Sequence, residues 1–455
     1  MQGIDGETSR YLQEKWGIPS NLLVVMAEAE DSLQSEFASI DRRSSYNQLR
    51  LLHIFQNNGI TDFHLNGSTG YGYGDEGRDA LESIFAAYFG GEGALVRSQI
   101  MSGTHAIALG LYGLLQPGDE LISAAGRPYD TLLKVIGIHG EAGALLETGV
   151  IYKEIPLRER GKAAAKEGAA IEGPEGPLLK PGATAVDLPL LIDSINERTK
   201  MILIQRSKGY QWRPSIDKAE LKAIITAVKE RKPDVVCLVD NCYCEMVDTE
   251  EPGEYGADLI IGSLIKNPGG TLAPSGGYVV GKLPYVEACA RRLSAPGLGS
   301  GLGASLGFNR PAFQGLFQAP QTVSQSLKGA VLAAEFFHRL GYAVLPASVD
   351  TNRADIVQAI QLGDEAGLVR FCGAIQQACP IDSAFKPEPA LLPGYDDPVV
   401  MAGGGFIQGS SSELSADGPL RPPYIAFLQG GFSLAQVRLG LLLAAKALAS
   451  GPNKC

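Results

Sequence analysis

The sequence predicts an α/β protein: a large domain on a mainly parallel sheet, then a smaller C-terminal α/β domain. Three observations lead there. Between about residues 90 and 285, short apolar runs alternate with helical patterns, the rhythm of a parallel sheet covered by helices on both faces. Met201–Ile204, Lys218–Arg231 and Val235–Val239 make a strand–helix–strand unit long enough for a parallel crossover. A long amphipathic pattern, Gln321–Leu340, then carries the chain into a second region ending at Cys455.

Taken in order, residues 1–60 are expected to form an N-terminal helical arm, with no strand signal before Thr61. Residues 61–310 are expected to form the large domain. In it Gly93–Ile100 reads as a strand, Thr104–Leu115 as a helix with an Ala/Leu face, and Pro117-Gly118 as a turn. Asp119–Ala124 is a strand again, and Tyr129–Ile138 a helix. Residues 158–185 are rich in Lys, Glu, Ala, Gly and Pro without apolar period, which predicts an exposed insertion. Residues 296–320 read as an irregular connection, and 311–455 as the small domain.

With 45% hydrophobic and 20% charged residues over 455, the composition is that of a globular protein. A net charge of −11 argues against nucleic acid or an anionic membrane as a partner. No apolar run reaches membrane-spanning length, and the first ten residues lack the pattern of a signal peptide, so a cytoplasmic location is expected. The cysteines (Cys237, Cys242, Cys244, Cys289, Cys372, Cys379, Cys455) form no Cys-x-x-Cys pair and read as buried reduced thiols. The five histidines show no ligand spacing, and no metal is expected.

The chemistry centres on Lys266, in the Gly-flanked stretch 260–270, downstream of the apolar run that Asp240 ends. A lysine becomes nucleophilic when a desolvated pocket lowers its pKa, as a Schiff base to pyridoxal phosphate requires. A carboxylate such as Asp240 would keep the ring nitrogen of that cofactor protonated. Ser102-Gly103-Thr104 opens a helix directly after a strand, where unpaired N–H groups can hold a phosphate, or where Ser102 is simply a cap. Ser263 could add a hydroxyl to that phosphate, or make a local turn bond.

Tyr129 follows a strand's C-terminal end and could stack on a ring and move a proton; burial at a helix start is the plainer alternative. Gln205–Tyr210 and Asn241–Tyr243 close parallel strands on the same side of the sheet. Tyr71 and Tyr73 lie in a glycine-rich loop of the kind that reaches a neighbouring subunit. Arg438 sits in an apolar helical stretch and needs a carboxylate, from a substrate or from the chain itself. Two nucleotide motifs are set aside. Gly72–Gly77 matches G-x-G-x-x-G without a preceding strand, and Gly276–Leu283 resembles a phosphate loop but reads as a strand and lacks the Ser/Thr.

Together these residues resemble the fold-type I pyridoxal-phosphate enzymes, and more narrowly the aluminium-resistance or methionine gamma-lyase-like family, distant relatives of the Cys/Met-metabolism enzymes. The matching stretches are GSTGYGYGDEGRD (67–79), QIMSGTHAIALGLYGLLQPGDELIS (99–123), PYDTL (128–132), QRSKGYQWRPS (205–215), VDNCYCE (239–245), GSLIKNPGG (262–270) and FLQGGFS (427–433). The resemblance implies a seven-stranded, mainly parallel sheet in the large domain and a homo-oligomer, a dimer at minimum and a tetramer by family habit.

It implies Lys266 as Schiff-base lysine, Asp240 at the ring nitrogen, Ser102, Gly103, Thr104 and Ser263 at the phosphate, and Tyr129 on the ring. Tyr73 would reach the phosphate in a neighbouring subunit. The broader enzymes carry an arginine two residues beyond that tyrosine; here Asp75 stands there, with Arg78 close by. Arg438 resembles the arginine for the substrate α-carboxylate. The implied reaction is carbon–sulfur elimination from an amino acid, giving a thiol, ammonia and a 2-oxo acid. Aldol cleavage, side-chain exchange, transamination or a non-catalytic stress-resistance role stay open, because the shared residues do not choose the bond.

Overall fold

The computed structural model describes residues 5–159, 183–348 and 353–450. Three helices open the chain, α1 (Gly6–Trp16), α2 (Ser20–Ser32) and α3 (Gln34–Asn57). The first is bounded as its sequence dictates: Asp5 accepts from Thr8 N, and Gly17 ends it at φ 60°. There follow α4 (Glu76–Phe89), β1 (Gly93–Arg97), α5 (Gly103–Leu114), β2 (Glu120–Ser123), α6 (Asp130–Ile136), β3 (Ile151–Glu154), β4 (Leu157–Glu159), β5 (Ala183–Val186) and α7 (Leu188–Ser194).

Then come β6 (Thr199–Gln205), α8 (Lys218–Arg231), β7 (Val236–Asp240), β8 (Leu259–Ser263), β9 (Gly277–Gly281), α9 (Leu283–Leu293) and α10 (Asn309–Arg339). The chain closes with β10 (Ala343–Leu345), β11 (Gln358–Gln361), α11 (Glu365–Gln377), β12 (Val399–Gly403), β13 (Ser415–Pro419), β14 (Ile425–Gln429) and α12 (Leu434–Ala449).

These elements fall into two compact units. One, residues 50–264 and 273–313, holds a seven-stranded sheet in the order β1-β9-β8-β7-β6-β2-β3. Strands β3, β2, β6, β7 and β8 run parallel, while β9 lies antiparallel to both β8 and β1. The mainly parallel seven-stranded sheet expected from the resemblance is therefore present. Every residue of β7, β8 and β9 is buried, which explains their unbroken apolar runs: a sheet covered on both faces has no polar side. Ile107 and Leu111 of α5, Leu132 and Ile136 of α6, and Leu203, Leu238 and Ile261 of the strands belong to one core cluster.

Register aligns the strand ends, with Gln205 opposite Asp240 and Asp240 opposite Ile261. The polar residues that close these strands therefore lie level at the sheet's C-terminal edge, where open α/β sheets form their crevices. Of the expected insertion, residues 160–182 lie outside the described residues; β4 and β5 on either side pair antiparallel.

The other unit comprises residues 1–49, 265–272 and 314–455. Its five-stranded sheet, β10-β11-β14-β13-β12, is antiparallel throughout. Leu368, Phe371 and Ile375 of α11 and Val437, Leu441 and Leu442 of α12 are buried. One expectation is corrected. The long helix starts at Asn309, not Gln321, and Pro320 lies inside it. A proline removes an intrahelical donor, and here α3 supplies others: Gln48 donates to Phe317 O at 3.0 Å and Ser44 to Pro320 O at 2.9 Å. Cys237, Cys242, Cys244, Cys289, Cys372 and Cys379 are buried and lie outside any disulfide. Among the described residues no helix is long and apolar enough to cross a membrane.

Candidate functional site

In the large-sheet unit, α5 begins at Gly103 and is set by its own cap, the Ser102 hydroxyl accepting from His105 N at 3.0 Å. Ser102 is thus the N-cap of α5. The first-turn N–H groups of Gly103 and Thr104 remain at the positive end of the helix. Gly103 sits where a side chain would crowd: a Cβ there would stand 3.1 Å from Cys242 Sγ and 3.5 Å from Ser263 Cβ. The helix start, the end of β8 and the loop after β7 therefore meet at one place. Ser263 is 1% exposed there.

Thr104 Oγ1 lies 2.9 Å from the Tyr129 hydroxyl and 3.2 Å from Thr131 Oγ1. Tyr129 sits at the N-cap of α6, and its N–H donates to Gln205 Oε1 at 3.0 Å. Burial raises the Tyr129 phenol well above its ordinary value, the Asp240 carboxylate adds to the rise, and the Thr104 bond opposes it. At neutral pH this phenol is protonated. Asp240, 5% exposed, ends β7, and its Oδ1 accepts from Cys242 N at 3.1 Å. Ser102, Gly103, Thr104, Tyr129, Asp240 and Ser263, widely separated in sequence, thus gather at one end of the sheet. A helix N-terminus with hydroxyls suits a phosphate, and a buried carboxylate suits a protonated heteroaromatic nitrogen.

Lys266 follows Ser263 by three residues, in the segment 265–272 of the other unit. It is half-buried and caps a short 3-10 turn, Asn267–Gly269. The Asn-Pro-Gly-Gly that follows is dictated locally. Pro268 fits a helical turn's first residues, and Gly270 takes φ 53°, where a Cβ would come within 2.1 Å of Gly315 O. Ser411 N donates to Ile265 O at 3.2 Å, fastening the 409–413 loop to the lysine segment. The hydroxyls of Ser410, Ser411 and Ser412 are buried without hydrogen-bond partners. Buried hydroxyls are normally satisfied, so three together mark a place for a polar ligand or water. The run Gly409-Ser-Ser-Ser412 is the sequence signal that points to it.

Arg438, on α12 of the same unit, has its carboxylate within the chain: Nε lies 2.5 Å from Glu30 Oε1. Tyr73 is 70% exposed, its ring 5.5 Å from that of Tyr71. Asp75 anchors their loop, accepting from Ser68, from Ser305 Oγ at 2.5 Å and from Asn309 Nδ2 at 3.1 Å. Arg78 is buried and donates to Gly72 O at 2.8 Å and Gly303 O at 3.2 Å, so it cross-links two loops. The G-x-G-x-x-G stretch is this loop, with Gly72 and Gly74 at positive φ, and the phosphate-loop look-alike is β9.

Comparison with known proteins supports the fold and gives the family. The family model for methionine gamma-lyase matches residues 22–175 and 169–449. The uncharacterised protein YnbB of Bacillus subtilis is 45% identical over 423 residues, 92% of this chain and 95% of that protein. A carbon-sulfur lyase involved in aluminium resistance from Clostridium novyi is 40% identical, with TM-score 0.88, over 97% of this chain and 99% of its own. The pyridoxal-5'-phosphate-dependent protein YhfS of Escherichia coli shares the fold alone, at 16% identity and TM-score 0.57 over 90% of this chain and 97% of that one. With the family model spanning most of its length, this chain belongs to the methionine gamma-lyase family.

Proposed function

We propose that this chain is a pyridoxal-phosphate-dependent carbon–sulfur lyase, acting by elimination on a sulfur-containing amino acid of the cystathionine beta-lyase or methionine gamma-lyase type. The observation that carries this reading is the convergence of the α5 N-terminus, Ser263, Tyr129 and Asp240 at the C-terminal edge of the parallel sheet. Its polar groups suit the phosphate and the ring nitrogen of the cofactor. The N–H groups of Gly103 and Thr104, with the hydroxyls of Ser102, Thr104 and Ser263, would take the phosphate. Asp240, oriented by Cys242 N–H, would hold the proton on the ring nitrogen. Tyr129 would lie on the ring, and Lys266 would be the covalent anchor.

When bound, the cofactor supplies an electron sink for charge developing at the substrate Cα. Lys266 Nζ would remove the Cα proton once the substrate amine has taken its place. The Tyr129 phenol, kept protonated by burial, would deliver a proton to the departing sulfur. The unsatisfied hydroxyls of Ser410–Ser412, in the same unit as Lys266, would suit a polar ligand, and Arg438 would take a carboxylate there only by leaving Glu30. With one water taken up from solvent, the products would be a thiol, ammonia and a 2-oxo acid.

The test is the purified protein incubated with methionine, cystathionine and cysteine. Release of 2-oxobutyrate or pyruvate with ammonia supports the reading. Amino transfer to an added 2-oxo acid, or a yellow protein that consumes none of them, contradicts it.

A further inference from the structure

Behind Asp240 the large-sheet unit carries a buried polar chain that no step above uses. Arg206, Asn241 and Glu251 are 4%, 0% and 1% exposed. Arg206 Nη1 donates to Asn241 Oδ1 at 2.6 Å, and Asn241 Nδ2 donates to Glu251 Oε2 at 3.1 Å. Glu251 Oε1 then accepts from Met246 N at 2.8 Å. Ionic groups are costly to bury, and a core of this volume is more cheaply filled with apolar side chains. What this chain encloses is the loop that leaves Asp240.

That loop is held in an unfavourable form. Tyr243 (φ 71°) and Met246 (φ 62°) both occupy the left-handed region, which bulky residues avoid. Asn241 N donates to Ile261 O at 2.9 Å, Cys244 N to Asn241 O at 2.9 Å, and Arg206 N to Asp240 O at 3.2 Å. The same turn aims Cys242 N–H at Asp240 Oδ1. Glu251 pins the far end of the loop, Asn241 the near end, and Arg206 ties both to the end of β6. Removing any of the three frees the loop to relax, and the Cys242 N–H moves with it.

We propose that Arg206, Asn241 and Glu251 are positioning residues that fix the Asp240 carboxylate for the cofactor's ring nitrogen. This rests on the cofactor reading above. None of the three need touch the cofactor; their effect passes through the Cys242 N–H and the main chain of Asp240.

The experiment uses the full chain, wild type and the variants Asn241→Ala, Glu251→Gln and Asp240→Asn, titrated as apoprotein with pyridoxal phosphate. Three quantities are read: cofactor affinity, the position and pH profile of the visible absorbance band, and apoprotein melting temperature. Glu251→Gln keeps size and shape, so it serves if Asn241→Ala does not fold. Expected is a visible band altered in the same direction as in Asp240→Asn, with affinity about tenfold weaker, the size of one lost charge-assisted hydrogen bond. Restoring the network in part, by Asn241→Asp, which keeps the acceptor for Arg206, should recover part of the band shift. Variants that melt lower yet bind with unchanged affinity, band and pH profile show a merely structural network and overturn the proposal. If wild type itself forms no visible band, the cofactor reading fails and the proposal falls with it; a wild-type band with unaltered variants sinks the proposal alone.

Discussion

Tyr129 is the residue whose surroundings say most about its role. A phenol raised by burial beside a carboxylate cannot act as a base near neutral pH, but it can give a proton. Tyr129→Phe should keep the cofactor bound, since the proposed phosphate and nitrogen contacts lie elsewhere, and should lower turnover by about 10²-fold or more. Steady-state rates with the visible spectrum of the same sample check this; loss of the band would make Tyr129 a binding residue instead.

Two buried carboxylates make opposite predictions with pH. Burial alone would raise Asp75, but hydrogen bonds from Ser305, Ser68, the Arg78 N–H and Asn309 outweigh it and bring the carboxyl down to about 2. Its stabilisation is therefore complete above the unfolded value near 3.8 and lost as pH falls through about 2. Glu251 goes the other way: burial lifts it to about 7, against the pull of the Met246 N–H, Arg206, Asn241 and Arg50. The folded form holds a proton that the unfolded chain releases above about 4.5, so this contribution is present at low pH and lost as pH rises through 7. Melting temperature against pH should show that decline in wild type and a flatter profile between those values in Glu251→Gln.

At the scale of the elements, what the sequence made legible was the alternation of strands and helices and the residues at strand ends. The helix Lys218–Arg231 matched residue for residue, and Thr104–Leu115 by one position at each end. Periodicity reads such elements because each buries a single face. The start of α10 was not legible, because Pro320 signals a helix boundary and the donors that offset it, Ser44 and Gln48, lie far away in sequence. Nor could any local pattern show that Arg438 faces Glu30, or that Ser410–Ser412 lack partners. Those are facts of tertiary packing.

The turn after Lys266 is set by Gly270, which stands at positive φ against Gly315 O. Gly270→Ala should destabilise the fold by about 2 kcal/mol or more, the left-handed conformation alone costing 1–2. Denaturant unfolding measures it, and an unchanged midpoint would show that the backbone yields without cost.

For the whole molecule, family membership and the large-sheet architecture narrow the chemistry to a cofactor, while the choice of bond depends on residues around the substrate. The paired, exposed Tyr71 and Tyr73, on a loop stiffened by Asp75 and Arg78, are a candidate edge for a second copy of the chain. If they serve a homodimer or tetramer, replacing both tyrosines by Ser should lower the molar mass in solution and weaken cofactor retention together. An unchanged mass would remove them from the interface.

The central claim, that Lys266 anchors pyridoxal phosphate for carbon–sulfur elimination, meets its most direct test in one spectrum. Purified wild type and Lys266→Ala are saturated with pyridoxal phosphate, freed of excess and scanned in the visible, before and after adding cystathionine or methionine. A bound band in wild type that changes on substrate addition and yields a 2-oxo acid, absent from Lys266→Ala, is the predicted result. A lysine-linked band that persists in Lys266→Ala would contradict it.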